Sequence, residues 1–145
     1  YTTLFRSERK NIEKLIDDYK MNDKIILKGN VKNVRNYIND ARVFVLPSNY
    51  EGMPNALLEA MSLGLACIST NWNPGGVSDI IQNNVNGIIV SKDNQKELEN
   101  AIKLLLDDDN LSQKCGEQAK KDSIRYAPKT IYDKWEMYLK KIVQE

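Results

Sequence analysis

The sequence predicts an α/β protein, a parallel sheet wrapped by helices, and three observations carry that prediction. Helical and strand-like patterns alternate along the chain. The strand-like runs are too uniformly apolar to leave a face in water. The charge is also unevenly spread. Residues 1–42 carry 10 Lys/Arg and 6 Asp/Glu, residues 43–92 carry 1 and 3, and residues 93–145 carry 10 and 11, so the middle of the chain reads as buried sheet with its edge loops.

Each element has its own signal. Ile12, Leu15, Ile16 and Tyr19, spaced by three and four among charged residues, predict an amphipathic helix over residues 8–19. Ile25-Ile26-Leu27 predicts a short strand over 24–28, ending at Gly29. Residues 33–40 permit a short helix with Val34, Tyr37 and Ile38 facing inward. Val43-Phe44-Val45-Leu46, stopped by Pro47, predicts a strand covered on both faces. Pro54 suits the first turn of the next helix and Gly64 its end. Residues 65–69 and 87–90 predict two more covered strands, separated by a short helix around 77–81, and residues 95–105, 111–124 and 130–143 predict three closing helices. The pattern shows no repeat and no linker, which predicts one domain.

Composition narrows the function. No apolar run approaches the roughly 20 residues of a membrane span, and no signal-peptide pattern is present. With 21 basic and 20 acidic residues the net charge is +1, so no field recruits nucleic acid. The absence of histidine removes the commonest general base and metal ligand together. Cys67, in an apolar run, reads as a buried reduced thiol, and the pair Cys67 and Cys115 fits a cytoplasmic protein.

Chemistry is expected where a strand of an open parallel sheet runs into a helix. The loop Ser48-Asn49-Tyr50-Glu51-Gly52-Met53-Pro54 follows the 43–46 strand, and Glu51 and Glu59, two of the few charges in the middle of the chain, belong to this unit. Backbone N–H groups of Met53, Asn55 and Ala56 at a helix mouth suit a diphosphate. Carboxylates suit vicinal hydroxyls. Spacing alone leaves simpler readings open: Glu59 as a solvated helix residue, Glu51 as a turn residue or dipole partner, Asn73-Pro74-Gly75-Gly76 as a plain turn, and Tyr50 and Trp72 as packing residues.

Taken as a string, Pro47-Ser48-Asn49-Tyr50-Glu51-Gly52-Met53-Pro54-Asn55-Ala56-Leu57-Leu58-Glu59-Ala60-Met61 resembles the donor-site signature of family 4 glycosyltransferases, two glutamates separated by seven residues, in the C-terminal Rossmann-like domain of the GT-B fold. Gly29 with Val31, the 41–48 strand, Gly75-Gly76, Asn86-Gly87 and a Trp-containing last helix follow in the family's order, from about residue 8 to the end. The resemblance implies that Glu51 contacts the donor sugar and stabilises the reacting face, and that Glu59 holds the ribose diol. It implies that Gly52, Met53, Pro54 and Asn55 form the sugar and phosphate loop, with the N–H groups of Asn55, Ala56 and Leu57 near the diphosphate. Gly29, Asn30, Val31 and Lys32 would flank the nucleobase, chiefly through backbone. The implied reaction is retaining transfer of a hexose or N-acetylhexosamine from a nucleoside-diphosphate sugar, UDP-linked, without a metal or other cofactor. The acceptor would be a glycan or lipid-linked sugar in surface polysaccharide synthesis. Two departures stand out: Asp79 occupies a position where the family often has Glu, and Asn71-Trp72-Asn73 replaces a lead-in that usually contains Asp.

The resemblance also implies that family members carry more chain ahead of residue 8: a strand–helix–strand with diphosphate-gripping Arg and Lys, and an N-terminal acceptor domain. Tyr1-Thr2-Thr3-Leu4-Phe5-Arg6-Ser7 resembles a translated sequencing adapter, so the expectation is a scar over 1–7 and a partial domain over 8–145, inactive by itself. The parent is expected in the cytoplasm, at most peripheral at the inner face of the membrane. In the strand order 3-2-1-4-5-6 the absent strands would lie between 25–28 and 43–46. Residues 43–90 should then keep three neighbouring parallel strands, with 25–28 unpaired or moved against 43–46, an exposed edge and marginal stability. The competing readings are a non-catalytic nucleotide- or partner-binding module and a GT-B nucleotide-sugar epimerase.

Overall fold

A computed structural model describes residues 2–72 and 76–144, which form two compact units, 1–34 and 35–145.

In the first unit, α1 (Thr2–Asp18) is longer than the pattern predicts. Of its predicted apolar face, Ile16 is buried and Ile12 half-buried, while Leu15 and Tyr19 are exposed. The predicted strand over 24–28 is not a strand. The N–H groups of Lys24 and Ile25 both turn back to the Met21 carbonyl, at 3.0 Å each, and Ile25 and Ile26 are exposed. Three apolar residues have strand propensity, but a strand is held by its neighbour's ladder, and among the described residues none pairs with 24–28. The segment instead borders a cavity of about 480 Å³ with Arg9, Glu13 and Ile16 of α1.

The second unit holds the sheet. Its elements are α2 (Arg35–Ile38), β1 (Val43–Leu46), α3 (Asn55–Leu63), β2 (Ala66–Thr70), a 3-10 turn (Val77–Asp79), β3 (Ile88–Val90), α4 (Gln95–Asp107), α5 (Asp109–Ser123), a second 3-10 turn (Ile124–Tyr126) and α6 (Pro128–Gln144). The strands are parallel in the order β1-β2-β3, with Val43 opposite Ala66, Leu46 opposite Ser69, and Thr70 opposite Val90. The three neighbouring strands expected over 43–90 are therefore present.

β2 is central and every residue of it is buried. Leu65 and Cys67 join one core cluster, with Leu57, Ala60 and Met61 of α3, Trp72, Val77 and Ile81. Ala66 and Ile68 face the other cluster, with Ile88, Val90, Ala101, Leu105 and Cys115. Alternating residues of one strand thus nucleate two layers, each large side chain contributing about 1.5–3 kcal/mol by burial. β1 was expected to be covered on both faces, but as an edge strand it is only half-buried throughout. In the predicted 33–40 helix only Ile38 packs on the core. Val34 and Tyr37 are exposed, because four helical residues make one turn, too short to present three side chains to one side. The helix predicted at 77–81 is a 3-10 turn, and Asn73, Pro74 and Gly75 lie outside the described residues.

Two glycines set the packing around α3. Gly64 ends it in the left-handed conformation (φ 82°), its N–H reaching the Ala60 and Met61 carbonyls. Gly116 of α5 lies so close to Gly64 that a Cβ would sit 2.1 Å from the Gly64 carbonyl oxygen.

Candidate functional site

The β1 strand leaves the sheet at Leu46, and residues 47–54 carry the chain over the sheet's carboxyl end into α3. Glu51 is the buried charge of this loop, 6% exposed, and the Ser48 hydroxyl donates to its Oε1 at 2.7 Å. Isolated carboxylates avoid such burial; here the loop wraps the carboxylate and supplies a donor.

Pro54 was expected inside the first turn of α3 but occupies the position before it, with φ −81° and ψ 68°. The Asn55 N–H closes back on the Met53 carbonyl at 2.9 Å, an inverse γ-turn centred on the proline. The Asn55 N–H is thereby engaged within the loop. The Ala56 and Leu57 N–H groups belong to the first helical turn, which has no helical acceptors for them, and they stand at the positive end of the α3 dipole. Gly52 and Met53 are exposed, and no atom lies within 4 Å of where a Gly52 Cβ would be. Pro54 and the Leu57 side chain are buried, so Leu57 can offer a ligand only its backbone.

Glu59 lies on a different surface. It is exposed, and together with Asn55 and Ser62 on the same side of α3 it lines a cavity of about 590 Å³ closed by Arg35, Lys120 and Tyr126. The Arg35 guanidinium donates to Ser62 Oγ at 2.9 Å, and Ser62 Oγ donates to the Glu59 carbonyl at 2.7 Å. Glu51 is not among the residues lining this cavity. The two glutamates thus flank the start of α3, one buried in the loop and one on the open helix face.

Gly29, Asn30, Val31 and Lys32 belong to the first unit. Gly29 adopts φ 68°, a left-handed turn after the 25–28 segment, and all four except half-buried Val31 are exposed. Trp72 is a core residue, fully buried with its Nε1 donating to Ser69 Oγ at 3.2 Å, whereas Tyr50 is 65% exposed. Asp79 is exposed, and its backbone carbonyl accepts from Arg125 and from the Tyr126 hydroxyl. Among the described residues no three His, Cys, Asp or Glu side chains gather as a metal group, and no helix is long and apolar enough to cross a membrane.

Four polar residues of the site escaped the sequence reading. Ser48 could have been found from its spacing of three from Glu51 within one loop. Arg35, Ser62 and Lys120 come from three separate helices, and only tertiary packing gathers them.

A parallel sheet with a helix mouth at its carboxyl edge is the place where an open α/β domain of this class binds its ligand, and the two glutamates flank that place. The family model described as "Glycosyl transferases group 1" matches residues 6–122, and the chain belongs to that family. It is 27% identical to the poly(glycerol-phosphate) alpha-glucosyltransferase of Bacillus subtilis over 92% of its own length and 20% of that protein's. Among solved structures, Staphylococcus aureus TarM in complex with UDP superposes with a TM-score of 0.81 at 27% identity, covering 88% of this chain and 26% of that one. Anabaena Alr3699/HepE in complex with UDP gives 0.87 at 18% identity, covering 96% and 38%, a likeness that shows the fold. The fold is that of GT-B glycosyltransferases, and the chain spans well under half the length of each of these three relatives.

Proposed function

We propose that this chain is the donor-binding part of a retaining glycosyltransferase that moves a hexose or N-acetylhexosamine from a UDP-linked sugar to a glycan or lipid-linked acceptor in surface polysaccharide synthesis. The observation that carries the proposal is the buried Glu51, held by Ser48 in the loop that enters α3. Family membership supports the class of reaction.

Each group has a chemical role in this reading. The diphosphate meets the N–H groups of Ala56 and Leu57, where fixed dipoles favour the charge that grows on it as the sugar leaves. Glu59, exposed on α3, accepts hydrogen bonds from the ribose diol, and Gly52 and Met53 leave room for the sugar. Glu51 accepts from the sugar hydroxyls and offsets positive charge at the anomeric carbon. The bond from that carbon to the β-phosphate oxygen breaks, its electron pair leaving with UDP. The acceptor oxygen bonds to the same carbon and its proton passes to the departing phosphate. No resident metal or cofactor takes part in this reading. The acceptor is held by a further domain of the parent, which works in the cytoplasm, at most peripherally at the membrane's inner face.

The test uses the complete gene product with UDP-glucose and UDP-N-acetylglucosamine. Glu51→Gln should lower kcat by about 100- to 1,000-fold, the scale of losing one preorganised electrostatic group at a reacting centre. Glu59→Gln should mainly raise the donor KM. Wild-type kinetics in both variants would overturn the assignment.

A further inference from the structure

We infer that Ser48 is a positioning residue for Glu51, and that β2 holds Ser48 in place through side-chain hydrogen bonds. The inference rests on the donor-binding reading of Glu51.

A hydroxyl at 2.7 Å from a carboxylate oxygen is within the short range of charge-assisted bonds. Glu51 is 6% exposed, so water cannot readily replace that donor. A carboxylate has about four acceptor sites, and the Ser48 hydroxyl occupies one of them, on Oε1.

Ser48 is itself anchored. The Thr70 hydroxyl donates to the Ser48 carbonyl and also lies 3.5 Å from the Leu46 carbonyl. Ser69 Oγ lies 3.4 Å from the same Leu46 carbonyl and accepts from the Trp72 indole N–H at 3.2 Å. Ser69 and Trp72 are fully buried and Thr70 is 6% exposed. At the point where β1 stops pairing with β2, side chains of β2 thus take over the carbonyls of β1 and its loop. The parallel ladder ends at Leu46 opposite Ser69, and the hydroxyls of Ser69 and of Thr70, the next position, extend it. This chain of contacts runs from the core at Trp72 to Glu51, which aims the carboxylate from the rigid centre of the sheet and not from the loop alone.

The assay is acceptor-free release of UDP from UDP-glucose and UDP-N-acetylglucosamine by the complete gene product, with inhibition by UDP measured alongside. Ser48→Ala should lower kcat by about 10- to 100-fold, the scale of one hydrogen bond to a charged group. Donor KM and UDP inhibition should move by less than about threefold, since they report the ground state. Ser48→Thr, which keeps the hydroxyl, should recover most of the rate, and Thr70→Val should give an intermediate loss. A purely structural role would weaken UDP binding in step with kcat and would leave Ser48→Thr no better than Ser48→Ala; either result overturns the inference. If Glu51→Gln is inactive while Ser48→Ala turns over like the wild type, the inference falls and the donor-binding reading stands. If wild-type protein neither binds nor turns over either donor, both fall.

Discussion

Replacing Gly116 by alanine tests the packing that holds α3, the helix carrying Glu59, against α5. Two effects oppose each other. Alanine is the better helix former, by about 1 kcal/mol over glycine in a helix interior. Against that, the new Cβ would sit 2.1 Å from the Gly64 carbonyl oxygen, 3.0 Å from the Gly64 carbonyl carbon and 3.4 Å from that of Leu65. An approach of carbon to carbonyl oxygen closer than about 3.3 Å is repulsive, so the two backbones must part by about 1.2 Å. All three obstacles are main-chain atoms next to a left-handed cap, which no rotamer change can move. Overpacking of this kind costs up to about 3 kcal/mol, and the propensity gain offsets a third of it. The net is about 2 kcal/mol, or a Tm lower by about 4–8 °C for a chain of this size. Thermal and urea denaturation of the 145-residue chain would measure it, with Gly52→Ala as control. Nothing lies within 4 Å of a Cβ at Gly52, so its stability should stay within about 0.5 kcal/mol of the wild type. A Gly116→Ala protein melting at or above the wild-type temperature would refute the reasoning.

Two further outcomes follow from the core and the caps. Burial, and secondarily the nearby Cys115 thiol, push the Cys67 thiol up from its ordinary 9.0 to about 12. The folded state therefore excludes a thiolate that the unfolded chain forms freely: this contribution to stability is complete below pH 9 and is lost as pH rises from there toward about 12. Urea midpoints should fall above pH 9 less steeply in Cys67→Ala than in wild type, and identical slopes would count against a buried neutral thiol. Asn94 caps α4 by accepting from the Glu97 N–H at 3.0 Å. Asn94→Ala should lower stability by about 1 kcal/mol in urea titration, and Asn94→Gly by only a few tenths; equal losses would mean that the side-chain acceptor contributes nothing.

Much of the fold was legible because the relevant signals are local. The all-apolar runs around Val45, Ile68 and Ile89 can be satisfied only by cover on both sides, so a parallel sheet with intervening helices follows from period and composition. Gly64 announced a helix end because few other residues take φ 82° without strain. The failures share one cause, dependence on a partner that the local pattern does not encode. Ile25-Ile26-Leu27 has the composition of a strand, but no described strand pairs with it. Val43 to Leu46 takes the edge position expected of it, but the cover on both faces that its composition predicts is incomplete, and the strand is half-buried throughout.

The site divides in the same way. Sequence by itself determined that Glu51 and Glu59 stand at the loop and first turns after an apolar strand, since a mostly uncharged stretch makes any carboxylate conspicuous. Tertiary structure alone decided their different environments: Glu51 buried under a loop pinned by Ser48 and Thr70, Glu59 open to a cavity shared with Arg35 and Lys120. The physical reason is distance along the chain. Thr70 lies 22 residues from Ser48, and only the parallel register of β1 on β2, which sets Leu46 opposite Ser69, brings that hydroxyl to the loop it holds.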